Sequence, residues 1–393
     1  MHGIYIHIPF CKQKCSYCDF HFSTSLKNKK ALINSMLKEI IIRKDDFKEP
    51  ISTIYFGGGT PSLINNDELL MIIEAIHKNY NVSKEIEFTL ECNPDDLSKQ
   101  KLIELKNAGV NRLSIGTQSF FDDDLQFFNR AHSAKEASNS ILMSQDAGFE
   151  NITIDLIYGM PTLTQKKWEH NLKKVEELKV PHLSAYSLTV EPKTAIHHQL
   201  KTKKIQLLPE DDVIEQFNTL IDSTSKNGMI HYEISNFAKE GFFSQHNSNY
   251  WKGEKYLGIG PSAHSYLKSS PLEKPVPIFR EGERGVLKRI WNVSNNTKYI
   301  QAIQNNTSFS EEETIDERTA YNEYVLTRLR TIWGIDSKYL SSNFKSKFYN
   351  YFNSEVKKYL DSNHLQKTEN TITLTKKGIF IADKISSDLF YIE

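Results

Sequence analysis

Three of the chain's four cysteines stand at positions 11, 15 and 18, with the spacing C-x3-C-x2-C. Thiolates are ligands for zinc and for iron–sulfur clusters, so this run has three interpretations. In the first, the thiols are unliganded; in the second, His21 completes a Cys3His zinc site. In the third, Cys11, Cys15 and Cys18 hold three irons of a 4Fe–4S cluster and leave the fourth iron open to another ligand.

Polar residues and glycines near the ends of short strand-like runs help to choose among these interpretations. Glu91, Gln118 and Asp155 each lie near the end of such a run, and the glycine triplet 57–59 follows another. The carboxyl ends of parallel strands meet at one edge of a sheet, where active sites form. Glycine has no Cβ, so the GGGTP stretch lets backbone approach a ligand closely. An open-iron cluster facing a nucleoside-sized ligand needs such a rim, whereas a structural zinc knuckle does not.

The elements that must position these residues alternate between short β-type runs and amphipathic helical stretches up to about residue 240. Six strands are predicted, at 3–8, 52–56, 85–90, 112–119, 151–161 and 182–190. No hairpin signals separate them, which favours a parallel sheet with helical crossovers. Six strand–helix units are too few to close an eight-stranded barrel. We therefore predict an α/β fold with an open, partial (β/α)6 barrel over residues 1–240.

Two further regions follow the predicted barrel. Residues 241–274 are rich in Gly, Asn and aromatic residues and predict an irregular connecting segment. Residues 275–393 predict a smaller α+β domain of winged-helix type. Within it we expect a long helix over 311–335 and a hairpin that turns at Glu369–Asn370.

Composition excludes several classes of protein. Lys and Arg together number 49, as do Asp and Glu, so no global field steers the chain to nucleic acid. No apolar stretch approaches the roughly 20 residues that cross a bilayer. The first residues, MHGIYIHIPF, lack the pattern of a secretory signal, and four cysteines in so long a chain are no disulfide framework. A cytoplasmic location is predicted, with no nucleic-acid partner and no transmembrane segment.

Several motifs together resemble the radical S-adenosylmethionine (SAM) superfamily. More narrowly, they resemble its branch containing oxygen-independent coproporphyrinogen III dehydrogenase (HemN) and the HemW haem chaperones. The resemblance covers nearly the whole chain, including the C-terminal region. Its motifs are YIHIPFC, YFGGGTPS, ECNPDDL, RLSIGTQSF, NITIDLIYGMP and GIGPSAHS.

The resemblance implies a role for each residue of the predicted site. Cys11, Cys15 and Cys18 would ligate a 4Fe–4S cluster, whose open iron takes the amino and carboxylate groups of SAM. Tyr5 would lie beside that amino-acid end of the cofactor. The remaining residues of the implied SAM pocket are Gly58, Gly59, Thr60, Glu91, Gln118, Arg130 and Asp155. The assignment of Arg130 depends on the resemblance alone, because the strand-end rule does not predict it.

The residue at position 20 distinguishes the sequence patterns of the two members of this branch. The dehydrogenase pattern has a further cysteine two positions after the third and a longer N-terminal extension. This chain has Phe20 at that position and ten residues before Cys11, so it resembles the chaperones more closely. The resemblance implies an electron donor for the cluster, and haem as cargo for acceptor haemoproteins such as respiratory cytochromes. The alternative is coproporphyrinogen III dehydrogenase activity in porphyrin biosynthesis.

The stretch HNSNYW at 246–251 matches a signature of this branch and suggests a haem site. Imidazole suits iron, and aromatic rings pack on a porphyrin, so His246 is a candidate axial ligand beside Tyr250 and Trp251. The alternative for His246 is a loop histidine bonded to a backbone group. His264 is a second candidate to face the SAM or haem cavity. Cys92 is expected to be a small buried residue.

Overall fold

A twelve-stranded sheet dominates the structure, a computed structural model that describes residues 2–269 and 286–392. Six neighbouring strands run parallel, as predicted. They are β1 (His2–Ile8), β2 (Ile51–Gly58), β3 (Val82–Cys92), β4 (Arg112–Gln118), β5 (Asn151–Tyr158) and β6 (His182–Ser187). The sheet order is β12-β11-β10-β9-β1-β2-β3-β4-β5-β6-β8-β7, so these six form an open, partial barrel.

Helices cross between the parallel strands and cover one face of the sheet. The period-two pattern of β1 shows why: Ile4, Ile6 and Ile8 are fully buried in the main core. The intervening Tyr5 and His7 therefore point to the other, concave face, and that face carries the polar groups. The helices of this part are α1 (Lys29–Ile42), α2 (Asn66–Asn79), α3 (Lys99–Asn107), α4 (Asp122–Phe127), α5 (Ala134–Asp146), α6 (Gln165–Glu177), α7 (Ala195–Lys201) and α8 (Glu210–Lys226).

Residues 241–269 are more regular than predicted. Helix α9 (Gln245–Trp251) is followed by β9 (Tyr256–Ile259), which pairs parallel with β1, and by β10 (His264–Ser269). The preceding β7 (Ile230–Glu233) and β8 (Asn236–Ala238) close the other edge of the sheet beside β6. The predicted boundary at 274–275 lies outside the described residues, and the division near residue 240 stays a prediction.

The main sheet also includes residues that we assigned to the C-terminal region. Strand β11 (Val286–Asn292) pairs with β10, helix α10 (Asn296–Gln304) follows, and β12 (Ser310–Ile315) pairs with β11. The prediction of a helix from 311 was therefore wrong at its start. Ile315 is buried against Leu287 across the ladder, and the Asp316 side chain caps the helix that begins at the next residue.

The last part of the chain is the smaller α+β unit that was predicted, with its own hydrophobic cluster. A three-stranded sheet of order β13-β15-β14 packs on its helices. The predicted hairpin is confirmed, with Glu369 in the left-handed conformation at φ 53°. The elements are α11 (Glu317–Leu329), β13 (Ile335–Asp336), α12 (Ser337–Asn343), α13 (Ser346–Glu355), α14 (Lys357–Asp361), β14 (Leu365–Thr368), β15 (Thr371–Leu374), α15 (Lys376–Ile379) and α16 (Ala382–Asp388).

Within residues 2–269 and 286–392, no helix combines the length and the apolar character that crossing a bilayer requires.

Candidate functional site

A cavity of about 490 Å³ lies at the carboxyl ends of the parallel strands. The strand ends that we expected to meet at one edge of the sheet therefore do line a common cavity. The predicted residues that line it are Cys11, Cys15, Cys18, Gly58, Gly59, Thr60, Glu91, Gln118, Arg130 and Asp155. A volume of this size is typical of pockets for small molecules. The cavity is the candidate site for the metal cluster and the cofactor.

The three cysteines of the cavity sit on a loop that the backbone fastens at both ends. The N–H of Cys11 donates to the carbonyl of Ser23 at 3.0 Å, and the N–H of Ser16 donates to that of Phe128 at 2.9 Å. All three thiols are free and partly exposed. Burial raises the pKa of Cys11, and raises that of Cys18 to about 11. Both are therefore protonated in the metal-free chain, and metal binding would release their protons.

The geometry argues against His21 as the fourth ligand of a zinc site. The Nε2 of His21 lies 2.8 Å from Oδ1 of Asn296, and its ring stacks on His7 at 6.0 Å, so it is engaged by other residues. Among the described residues, no group of three or more His, Cys, Asp or Glu side chains is placed to hold a metal ion. Cys92 is buried and bonded to the Leu90 carbonyl, as expected of a non-ligand.

The glycine triplet is required by contacts within the chain. A Cβ on Gly58, which has φ 108°, would lie 2.6 Å from the His7 ring. A Cβ on Gly59 would lie 2.7 Å from the carbonyl oxygen of Phe10, and one on Gly57 would lie 2.9 Å from the Glu91 carboxylate. Our prediction attributed these glycines to close approach of a ligand. The structure gives another reason: they let β2 pack tightly against the end of β1 and the cysteine loop.

Two largely buried carboxylates face the cavity, Glu91 from β3 and Asp155 from β5, the strands on either side of β4. The Tyr55 hydroxyl donates to Oε1 of Glu91 at 2.8 Å, and the N–H of Gly58 donates to Oε2 at 3.1 Å. Burial raises the pKa of Glu91 to about 7. Burial also raises the pKa of Asp155 to about 6, although Ser184 and Arg130 act in the opposite direction. Buried carboxylates of this kind gain most from a cationic ligand.

Arg130 connects the cysteine loop to the strand ends. Its Nη1 donates to Sγ of Cys15 at 3.3 Å, and its Nη2 donates to Oδ1 of Asn93 at 2.7 Å and to the Gly116 carbonyl at 2.8 Å. Its Nε is buried and has no hydrogen-bond partner among the described residues. A guanidinium with a spare N–H in a cavity suits an anionic group such as a carboxylate.

Gln118 holds a strained backbone conformation at the rim. Its φ of 66° places a non-glycine residue in the left-handed region, where β4 departs from regular pairing with β5. Such conformations cost about 1–3 kcal/mol and are concentrated at functional sites. The strain therefore agrees with the position of Gln118 in the cavity wall.

The sequence reasoning missed several residues that line the cavity, among them Asn93, Tyr17 and Tyr186. Asn93 donates to Oγ1 of Thr60 at 3.3 Å and accepts from Arg130, so it joins two predicted residues. It follows β3 directly, and the strand-end rule could have found it. Tyr17 packs edge-on against Phe128, a contact that no local pattern reveals.

Tyr5 is not among the residues that line the cavity. It stands in the middle of β1 on the concave face, where its hydroxyl lies 3.1 Å from Nδ1 of His7 and its ring stacks on Tyr55 at 6.1 Å. Its role beside the cofactor stays a prediction.

His246 lies at the opposite, amino end of the parallel strands. It is 1% exposed, and both ring nitrogens are engaged, by Oγ1 of Thr53 at 2.8 Å and by the Tyr250 hydroxyl at 2.7 Å. The ring also stacks on Tyr55 at 5.0 Å, and burial lowers its pKa to about 3. It is helical and bonded to side chains, unlike the loop histidine of our alternative. To ligate iron it would have to break one of these hydrogen bonds.

Comparison with known proteins identifies the superfamily of the chain and several of its relatives. Residues 5–175 match the model of the radical SAM superfamily. The chain is 32% identical to the heme chaperone HemW of Bacillus subtilis, over 98% of each chain. It is 31% identical to HemW of Lactococcus lactis, over 97% of this chain and 95% of that protein. Identity to HemW of Escherichia coli is 34%, over 67% of this chain and 69% of that protein.

The fold matches a solved structure of the same superfamily. The structure of coproporphyrinogen III oxidase (HemN) from Escherichia coli superposes with a TM-score of 0.81 at 21% identity, covering 99% of this chain and 90% of that one. At this identity the likeness establishes the fold. Together with the full-length similarity to HemW proteins, it shows that the chain belongs to the HemW family of the radical SAM superfamily.

Proposed function

We propose that this chain is a haem chaperone: it binds a 4Fe–4S cluster, SAM and haem, and delivers the haem to acceptor haemoproteins such as respiratory cytochromes. The observation that carries the proposal is the 32% identity to a HemW haem chaperone over 98% of both chains. Superfamily membership implies the cluster and SAM as cofactors. The cavity supplies a donor set that fits both.

Each group of the cavity has a part in this proposal. Cys11, Cys15 and Cys18 hold the cluster, since all three line the cavity. The carboxylates of Glu91 and Asp155 attract the cationic groups of SAM, and the spare N–H of Arg130 receives its carboxylate. In the superfamily, the reduced cluster supplies the electron that cleaves SAM to methionine and a 5′-deoxyadenosyl radical. The residues of this chain bind and orient the cofactor and limit its contact with water.

Phe20 supports the chaperone over the alternative dehydrogenase. Its ring is 67% exposed and lines the cavity, at the position where the dehydrogenase pattern has a thiol. The remaining cysteine, Cys92, is also among the residues that line the cavity, but it is buried and its thiol donates to the Leu90 carbonyl at 3.5 Å. It therefore does not replace the thiol of the dehydrogenase pattern.

Anaerobic reconstitution tests the proposal. The purified protein is assayed for iron, sulfide and zinc, and its spectrum is recorded before and after adding haem. Support would be about four irons and four sulfides, the content of one such cluster, with a new Soret band on adding haem and no turnover of coproporphyrinogen III. Turnover without a stable haem complex would instead establish the dehydrogenase, and zinc without sulfide would overturn the cluster.

The use of the radical is a separate part of the proposal. The reconstituted protein is reduced chemically, and then with a physiological electron donor, in the presence of SAM. Formation of 5′-deoxyadenosine would show that the cofactor is cleaved. If none forms although the cluster is fully reduced, SAM organises the protein without being consumed. The cytoplasmic location stays a prediction of the sequence.

A further inference from the structure

His264 differs from His7 and His246 in its contacts. It is exposed, and neither ring nitrogen has a hydrogen-bond partner among the described residues. By contrast, both ring nitrogens of His7 are engaged, by Tyr5 and by the carbonyl of His21. Both ring nitrogens of His246 are engaged by side chains. Within the described residues, His264 can therefore offer a ring nitrogen to a ligand without breaking a hydrogen bond.

A rigid strand pair fixes the position of His264. It begins β10 and stands opposite Trp291 of β11, with ring centroids 6.5 Å apart and planes 29° apart. The next residue, Ser265, is fully buried; its hydroxyl accepts from the N–H of Gly258 at 2.9 Å and from the Arg43 guanidinium at 3.1 Å. The backbone that carries the imidazole is therefore anchored, and the indole restricts the orientation of the ring. Ligand groups on such rigid elements are well preorganised.

The neighbouring residues on the same face suit a haem. Tyr266 follows two positions along β10, so it shares the face of His264 and stands opposite Arg289. Arg289 is paired with Glu313 at 2.8 Å and with Glu323 at 2.5 Å, and Glu313 is half exposed. A carboxylate ligand could replace Glu313 on the guanidinium. Imidazole, aromatic rings and a guanidinium match the iron, the macrocycle and the propionates of haem.

The imidazole of His264 is neutral at neutral pH. Partial burial, and after it the positive charge of Arg289, lower the pKa of His264. A neutral imidazole is the form that ligates iron, since a protonated ring has no free lone pair.

We propose that His264 is the protein ligand to the haem iron, with Trp291 orienting its ring and Arg289 pairing with a propionate. This inference rests on the proposed function, because it assigns the site of the haem cargo. It also places the haem ligand on the strand pair β10 and β11 and not on the HNSNYW helix α9.

Haem titration of the full-length, cluster-loaded protein tests the assignment. The variants are His264→Ala, His246→Gln and, as a matched control, His77→Ala, which removes an exposed histidine from helix α2. Removing the ligand should weaken haem binding at least tenfold and change the Soret and visible bands. Millimolar imidazole should restore the wild-type spectrum to His264→Ala. His77→Ala and His246→Gln should keep the wild-type spectrum.

The outcomes separate this inference from the proposed function. If the wild-type protein binds no haem, both fail. If the wild type binds haem and His264→Ala keeps its spectrum and affinity, the ligand assignment fails and the chaperone proposal stands. If His246→Gln alone loses the spectrum while its cluster content is normal, the ligand is His246. Iron and sulfide content and circular dichroism verify that each variant is folded.

Discussion

The two ends of the parallel strands carry similar residue types but differ in how their polar groups are satisfied. At the carboxyl end, Cys11, Cys15 and Cys18 are partly exposed, and the Nε of Arg130 has no hydrogen-bond partner within residues 2–269 and 286–392. At the amino end, helix α9 covers the strands. There the Glu87 carboxylate accepts the N–H groups of Gln245 and His246, both at 2.9 Å, and the His246 ring is fully bonded.

This difference shows that residue type alone does not identify a ligand. A histidine can bind iron only if a ring nitrogen is free and reachable. His246 meets neither condition in this structure, although it stands in the motif that first suggested a haem site. In α/β barrels the carboxyl end holds the active site, and the amino end contributes to stability. The HNSNYW helix fits the second role.

The largest expected effect is at the carboxyl end. Replacing Cys15 by alanine should abolish the cluster, because two thiolates cannot hold it and the Arg130 contact is lost as well. Iron and sulfide assays after anaerobic reconstitution measure this. Cys92→Ala is the matched control and should keep the full cluster, since Cys92 is buried and its thiol donates to the Leu90 carbonyl. A full complement of iron in Cys15→Ala would show that the loop is not the cluster site.

A substitution at the amino end of the parallel strands should lower the stability of the protein. His246→Ala removes two hydrogen bonds and the packing on Tyr55, and it leaves the buried hydroxyls of Thr53 and Tyr250 without that partner. We expect the free energy of unfolding, measured by urea denaturation, to fall by about 3 kcal/mol. The exposed His77→Ala should stay within about 0.5 kcal/mol of wild type. If His246→Ala kept the stability of the wild type but lost haem binding, His246 would have a binding role and not a stabilising one.

The parallel strands and much of the carboxyl-end site could be predicted from sequence. Period-two patterns such as Ile4, Ile6 and Ile8 fixed the strands, and the strand-end rule then placed Glu91, Gln118 and Asp155 at one cavity. The local sequence pattern was sufficient for this prediction because the ends of parallel strands lie at a common edge of the sheet.

The rest depended on contacts between distant parts of the chain. Helix α9 is held by Glu87 and Thr53, more than 150 positions earlier, and nothing within HNSNYW signals those partners. Arg130 reaches the rim from beyond α4, so only the family resemblance suggested it. The strand at Ser310–Ile315 reads as part of a helix until its pairing with β11 is known.

A smaller effect than loss of the cluster is expected from Glu91→Gln. The substitution keeps the shape of the side chain but removes the charge that would face the cationic part of SAM. Interactions with charged partners contribute about 1.5–3 kcal/mol, so SAM affinity should fall roughly 10- to 150-fold. Calorimetric titration of the cluster-loaded protein measures it, and cluster content should be unchanged. Wild-type affinity in this variant would remove Glu91 from the cofactor site.

The smallest expected effect is the pH dependence of SAM binding in the wild type. Burial raises the pKa of Glu91 to about 7 and that of Asp155 to about 6, so both carboxyls gain protons as the pH falls from 8 to 6. A cationic ligand prefers the ionised forms. If SAM binds well only when both Glu91 and Asp155 are ionised, the Kd should be about 20-fold higher at pH 6 than at pH 8.

The Glu91→Gln variant isolates this contribution. Only Asp155 then titrates in the range, so the Kd should change about twofold between pH 8 and pH 6. The amino group of SAM titrates identically in both proteins, and the difference between the two pH profiles therefore belongs to Glu91. Parallel profiles would mean that Glu91 does not change its charge on binding. The carboxyl end would then hold the cofactor by its cluster and Arg130, without help from the buried Glu91 carboxylate.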